Sequence, residues 1–425
     1  MKTAFLAMAL VTTLVCATNC TSQQGTTATP TRPEINPTGC FALGEQKVID
    51  PRGAAGDIYG AALAIEGDMA LVASEWDDDK GNNSGAVFVF RCTGSSWEPV
   101  QKLVPSDGQA GDNFGRAVSL SGNTALIGTH WDDDKGSKSG SAYVYKYNGN
   151  QWIQSQKLLA ADGQANDRFG NSVFVQDDVL AVCAWLEDQG ASAAGAVYVF
   201  RDNGTLWVQE QKLQASDKQA GDNFGRYVSI DGDALIVGAY HEDAGGPDAG
   251  AAYVFRYNGA EWVEEQKLVA WDAAAGDNFG WSCAILDDVA VVGAYQDDDL
   301  GSNSGSAYVY RFNGTNWLPE QKLLASNGVV NDRLGYAVVM DRNHILLTAP
   351  ASLSVGAGSG ALYLYRETSA GWIEQQIFTP SDGAPQDAFG FHADLSGRVA
   401  LTGSWRDDDA GPDSGSAYFY GFNEL

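Results

Sequence analysis

The chain has 425 residues and sets 26 Lys and Arg against 54 Asp and Glu, a formal net charge of −28. Its 44% hydrophobic and 11% aromatic content supports a packed core and excludes a disordered chain, and 50 Gly without a three-residue period exclude collagen. The acidity argues against nucleic acid, because phosphate recognition needs basic patches; it points instead to cations, basic proteins or neutral ligands such as sugars.

Lys2 precedes an apolar run, Ala4 to Val15, with small residues near Ala17. This is the pattern of a secretory signal peptide, assigned to residues 1–19, and the run is too short for a membrane-spanning helix. No later segment is long and charge-free enough to span, so no transmembrane segment is expected. Cys20 then opens a Thr/Pro-rich stretch, residues 20–39, with the composition of a flexible linker. A Cys before such a tether is similar to a bacterial lipoprotein, but Ala17-Thr18-Asn19 matches poorly the small residues such a site favours. Secretion, to the cell surface or periplasm, is the first expectation; lipid anchoring at Cys20 is the alternative.

From residue 40 to 425 the sequence repeats. Gly60, Gly115, Gly170, Gly225, Gly280, Gly335 and Gly390 follow one another at steps of 55 residues. Each has an aromatic or Leu before it and an Asp three residues before it, from Asp57 to Asp387. A second Gly recurs 25 residues later, from Gly85 to Gly415, and a Trp recurs at 97, 152, 207, 262, 317 and 372. Such a period marks a solenoid, array or propeller.

Within the second copy four strands are predicted. Arg116 to Leu120 is the first; Thr124 to Thr129 is nearly all apolar, as for a strand covered on both faces. Ser141 to Tyr147 alternates, with Tyr143, Tyr145 and Tyr147 on one side, and Trp152 to Leu158 follows an Asn148-Gly149 turn. Four strands per unit is the size of a propeller blade, and the aromatics then fill the wedge between blades. The last copy ends at Phe422 without its fourth strand, yet Gln46-Lys47-Val48 stands 14 residues before Gly60, as Gln101-Lys102-Leu103 stands 14 before Gly115. The expectation is an all-β, seven-bladed propeller with four antiparallel strands per blade, closed by an N-terminal strand that completes the C-terminal blade and removes the open edges.

Phe114-Gly115 followed by Gly128-Thr129-His130, Phe279-Gly280 followed by Gly293-Ala294-Tyr295, and the Gly-Ser-Ala-Tyr-Val-Tyr strands resemble FG-GAP repeats. The resemblance covers roughly residues 41–425. It implies the propeller of integrin α-chains, also found in secreted bacterial proteins and integrin-like fungal lectins. The calcium loop of many such repeats lies between the first and second strands. Here that connection is Ser121-Gly122-Asn123 or Asp231-Gly232-Asp233, too short to wrap a cation needing about 6–8 oxygen ligands.

Carboxylates crowd two other connections. Between strands two and three stand Asp77-Asp78-Asp79, Asp132-Asp133-Asp134, Glu187-Asp188, Glu242-Asp243, Asp297-Asp298-Asp299 and Asp407-Asp408-Asp409, with Ser352-Leu353-Ser354 in the sixth copy. Between blades run Asp107 to Asp112, Asp162 to Asp167, Asp217 to Asp222, Asp272 to Asp277 and Asp382 to Asp387. Antiparallel order places both sets on one face, as an acidic crown. Three readings stay open: turn capping and solubility; Ca²⁺ bound by the three-Asp runs together with Asp112, Asp167, Asp222, Asp277 and Asp387; and docking of a basic partner.

The four histidines, His130, His241, His344 and His392, fall in different phases without metal-ligand spacing, and no G-x-S-x-G elbow occurs. No catalytic residue is assigned. Residues just after the repeating Gly, namely Arg116, Asn171, Arg226, Trp281, Tyr336 and Phe391, should lie near the channel mouth. They vary while their frame does not, which suits a ligand surface and equally an unconstrained wall. Cys183 and Cys283 read as small buried hydrophobes; Cys40 and Cys92 are candidates for a disulfide locking the ring. Asn82, Asn203 and Asn313 are glycosylation sequons in loops.

The resulting expectation is an exported, monomeric, non-enzymatic binding or adhesion module, with a protein or glycan ligand outside the cell and Ca²⁺ as the one conceivable cofactor. A lectin-like propeller is the alternative, and a polysaccharide-active enzyme a third class.

Overall fold

A computed structural model describes residues 44–353 and 356–423. Its elements are strands throughout, grouped in seven four-stranded sheets. The first complete blade is β2 (Tyr59–Glu66), β3 (Met69–Ser74), β4 (Ala86–Thr93) and β5 (Ser96–Leu103). The second is β6 (Ala117–Ser121), β7 (Thr124–Thr129), β8 (Ser141–Tyr147) and β9 (Trp152–Leu158). Three of these four ranges coincide with the sequence expectation; the first strand is displaced by one residue because Gly115 and Arg116 both donate their N–H groups to Gly128 O at the strand entry.

The ring closes as the arithmetic requires. β1 (Gly44–Val48) pairs antiparallel with β28 (Ser416–Gly421), Gly44 opposite Gly421 and Val48 opposite Ala417. The seventh sheet thus runs β1-β28-β27-β26, with β26 at Phe389–Ser396 and β27 at Val399–Ser404. Gln46 on β1 reaches the next blade, where its amide donates to Trp97 O and accepts from Trp97 N, each at 2.8 Å. The same clamp recurs as Gln101–Trp152, Gln156–Trp207, Gln211–Trp262, Gln266–Trp317 and Gln321–Trp372.

The core lies between blades. One cluster joins Leu71 and Val87 of the first blade to Phe114, Ile127, Tyr143 and Trp152 of the second, all buried. Phe114 meets Tyr143 edge-on, with centroids 5.6 Å apart, and Phe169–Tyr198 and Phe224–Tyr253 repeat the contact. The second repeating Gly is where the blades touch backbone to backbone. Gly140 adopts φ +83° and a Cβ there would collide with the carbonyl oxygen of Phe169, so both conformation and space require glycine.

Residues 1–43 lie outside the described residues, and with them the signal peptide, Cys20, the linker and Cys40. Cys92 is buried on β4; Cys183 and Cys283 are free and buried. Among the described residues no helix is long and apolar enough to cross a membrane.

Candidate functional site

The two acidic loop sets do share a face, and a lysine ties them together. Lys157, from the Gln-Lys-Leu strand β9, places Nζ 3.0 Å from Asp107, 2.7 Å from Asp132 and 2.7 Å from Asp134. Lys322 does the same with Asp272, Asp297 and Asp299, and Lys47 on β1 with Asp382, Asp407 and Asp409. Lys102 holds Asp77 and Asp79, Lys212 holds Asp162 and Glu187, and Lys267 holds Asp217 and Glu242. Burial pulls on the Lys157 ammonium, but its hydrogen bonds to Asp132, Asp134, Tyr143 and Asp107 more than offset that and raise its pKa. Burial likewise pushes the Asp107 carboxyl up, and Lys157 outweighs it, leaving Asp107 below its ordinary range.

Each Asp of a run has its own task. Asp132 is buried; its Oδ1 accepts from Asp134 N at 3.0 Å and its Oδ2 meets Lys157. Asp133 accepts from Lys138 N at 2.6 Å and folds the loop back, while exposed Asp134 completes the lysine cage. Asp78, Asp298 and Asp408 cap the same amide in their loops, at Asn83, Asn303 and Asp413. The Asp three residues before each repeating Gly closes a turn: Asp112 Oδ2 accepts from Gln109 N at 2.7 Å, and Asp57, Asp167, Asp222, Asp277, Asp332 and Asp387 repeat it. Burial pushes the carboxyls of Asp112, Asp167 and Asp277 up to about 6, against those amide bonds. A lysine ammonium therefore stands in six of the clusters where a cation would sit.

Two blades depart from this pattern, each at members that touch one another. In the sixth blade the lysine position is Ile377, the carboxylate positions are Asn327, Ser352 and Ser354, and Tyr363 donates its hydroxyl to Asn327 Oδ1 at 2.9 Å instead of to an Asp. In the first blade the interblade Asp becomes Arg52 and the tyrosine becomes Phe88 together. Sequence reading noted the acid but missed the lysine, although Gln-Lys stands at a fixed phase in six copies.

At the centre of this face six of the seven residues following the repeating Gly converge, Ala61 being the seventh. Arg116 Nε donates to Asn171 Oδ1 at 3.4 Å. The Arg226 guanidinium lies 4.1 Å over Trp281, and rings then follow one another at 5.3 Å from Trp281 to Tyr336 and from Tyr336 to Phe391. A second tier comes from the ends of the second strands, two residues after the Gly of the Gly128-Thr129-His130 type: Glu75, His130, Trp185, Tyr240, Tyr295 and Trp405. Trp281 packs on Tyr295 at 4.5 Å and Phe391 on Trp405 at 5.3 Å. Below the rim Tyr227 of the fourth blade stacks on His392 of the seventh at 6.3 Å, narrowing the channel. This second tier is another varying phase in a fixed frame, visible in the sequence as such.

The electrostatics of the mouth invert those of the crown. Arg116 Nη1 lies 3.6 Å from Glu75 Oε2, whose carboxyl is raised by burial with Arg116 opposing. Burial holds the His130 imidazole well below its ordinary value, helped by Arg116, Arg168, Lys138 and Arg226. Burial also lowers Arg226, with Arg116 adding to it. His130 and Asn171 are each 5% exposed, and His130 Nδ1 and Asn171 Nδ2 have no hydrogen-bond partner among the described residues.

Seven blades with an ordered frame and a varied central rim define a propeller of the repeat-built kind. The family model for the FG-GAP repeat matches seven times, over residues 44–90, 97–145, 152–200, 207–255, 262–310, 317–365 and 372–420, and the chain belongs to that family. Among solved structures it is similar to a Bacteroides fragilis protein provisionally described as a 6-phosphogluconolactonase, with a TM-score of 0.51 and 9% identity over 76% of this chain and 85% of that one. At that identity the likeness concerns fold alone.

Proposed function

We propose that this FG-GAP propeller is a non-enzymatic binding module, exported and acting at or outside the cell surface, whose ligand seat is the channel mouth on the loop face. One observation carries the reading. Blades that repeat Phe-Gly, Gly, Trp and Gln-Lys at fixed phase differ where they converge, at Arg116, Asn171, Arg226, Trp281, Tyr336 and Phe391. A symmetric scaffold presenting an asymmetric, aromatic and partly charged rim has the composition of a recognition surface. Divalent cations are not needed in this reading, since lysines already neutralise the clusters that would hold them.

A glycan is the favoured ligand class over a protein, because the rim sets aromatic ring faces beside the charged donors of Arg116 and Arg226. Catalysis has less support: His130 Nδ1 is 3.8 Å from Glu75 Oε1, beyond hydrogen-bond distance, and no nucleophile bonds to it among the described residues. Glycan-array binding of the wild type and of Trp281→Ala with Phe391→Ala tests the proposal. Binding that survives chelator and is lost in the double variant supports it; equal binding by both proteins, or turnover on glycan and ester panels, refutes it.

A further inference from the structure

The distribution of arginines carries the mouth further. On the outer surface each well-placed guanidinium has carboxylate partners: Arg201 with Asp178 and Glu210, Arg256 with Asp233 and Glu265, Arg311 with Asp288, Glu320 and Glu367. In a chain with 54 acidic against 26 basic side chains, pairing is what a random placement would give. Yet Arg168, Arg226 and Arg333, all on the loop face around the mouth, have no carboxylate within ion-pair distance among the described residues. Like charges so arranged repel, and around half-buried Arg168 and Arg226, though not around exposed Arg333, water screens them only in part. The Arg226 guanidinium carbon lies 4.1 Å over the Trp281 ring, a cation–π contact that leaves its N–H donors available to an oxyanion. Beside it stand the buried, unpartnered Asn171 Nδ2 and the Arg116–Asn171 bond.

Resting on the channel mouth as the ligand seat, we propose that the mouth recognises an acidic sugar, whose carboxylate or phosphate is taken by Arg226 and whose ring lies against the neighbouring aromatic side chains. An oxyanion there supplies the counter-charge the arginines lack, through a planar fork matched to two oxygens. The rings of Trp281, Tyr336 and Phe391, tilted to one another by 49° and 41°, supply the apolar faces for the sugar ring.

The test is titration of the full chain with D-glucuronate, glucose 6-phosphate and, as the neutral control, glucose, at constant ionic strength, followed by tryptophan fluorescence and calorimetry. Saturable binding of at least one acidic sugar is expected, with glucose at least tenfold weaker. Arg226→Gln should weaken the acidic sugar about tenfold to a hundredfold, and Arg226→Lys less, as expected for a charged hydrogen bond. Arg201→Gln should leave it unchanged, and melting curves of all variants confirm folding. Equal affinity for glucose, indifference to Arg226→Gln, or no saturable response to either acidic sugar overturns the proposal. If a neutral glycan binds and is lost in Trp281→Ala while Arg226→Gln binds normally, the acidic class falls and the mouth survives as the seat. If binding ignores both variants, the seat itself falls.

Discussion

Replacing Lys157 by Met removes an ammonium from among three carboxylates. Asp132, with a side chain 4% exposed, then loses its one counter-charge among the described residues, keeping hydrogen bonds from Asp134 N and the Tyr143 hydroxyl. Breaking a buried pair by deleting one partner costs about 3–5 kcal/mol, and the remaining bonds place this case near the lower end. Asp107 and Asp134 are 47% and 45% exposed, so each adds only about 0.5 kcal/mol. The total is about 3–4 kcal/mol, read as a fall in the urea unfolding midpoint at neutral pH. The sixth blade supplies the control. Lys157→Ile combined with Asp107→Asn, Asp132→Ser and Asp134→Ser copies Ile377, Asn327, Ser352 and Ser354. Because the charges leave together, the fourfold variant should return to within about 1 kcal/mol of wild type. A single substitution costing under about 1 kcal/mol, or a fourfold variant no better than the single one, would refute the cage as a coupled unit.

Gln211→Leu strips Trp262 of partners for both its N–H and C=O; it should cost about 2 kcal/mol in urea unfolding. Gly140→Ala forces a Cβ against Phe169 at positive φ, and should lower the thermal midpoint more than Gly149→Ala, where a Cβ meets nothing. Asp394, on β26 inside the channel, has its carboxyl pushed up to about 7 by burial, against bonds from Ile65 N and Leu395 N. Its folded pKa is raised, so it contributes stability below its unfolded pKa that is lost as pH rises through about 7. Asp394→Asn should therefore flatten the fall in stability between about pH 4 and 7; an unchanged slope would contradict the assignment.

Much of this was readable from spacing alone. The 55-residue step fixed the blade, and the Gln46-Lys47-Val48 phase fixed closure, because a repeat with constant geometry leaves its strands few alternatives. The three parts of that tripeptide proved to have separate duties: Gln46 clamps Trp97, Lys47 cages three aspartates and Val48 packs against the interblade core. The lysine cage was not legible because its members come from separate segments of a blade and its approach loop, 23 to 50 residues apart in sequence within a blade and 335 to 362 apart where Lys47 closes the ring. Periodicity reports phase; it does not report which side chains of different phases meet. The mouth was half legible for the same reason. Arg116 and Trp281 stood out beside the repeating Gly, whereas Trp405 and His130 joined them only through the convergence of the strands.

Hydrogen exchange, with and without the tightest-binding compound from a glycan array, tests the central claim most directly. The account predicts new protection confined to the segments entering the inner strands, around residues 113–117, 223–228, 278–283 and 388–393. Protection concentrated instead on the Asn148-Gly149 and Asn258-Gly259 hairpins of the opposite face would contradict it.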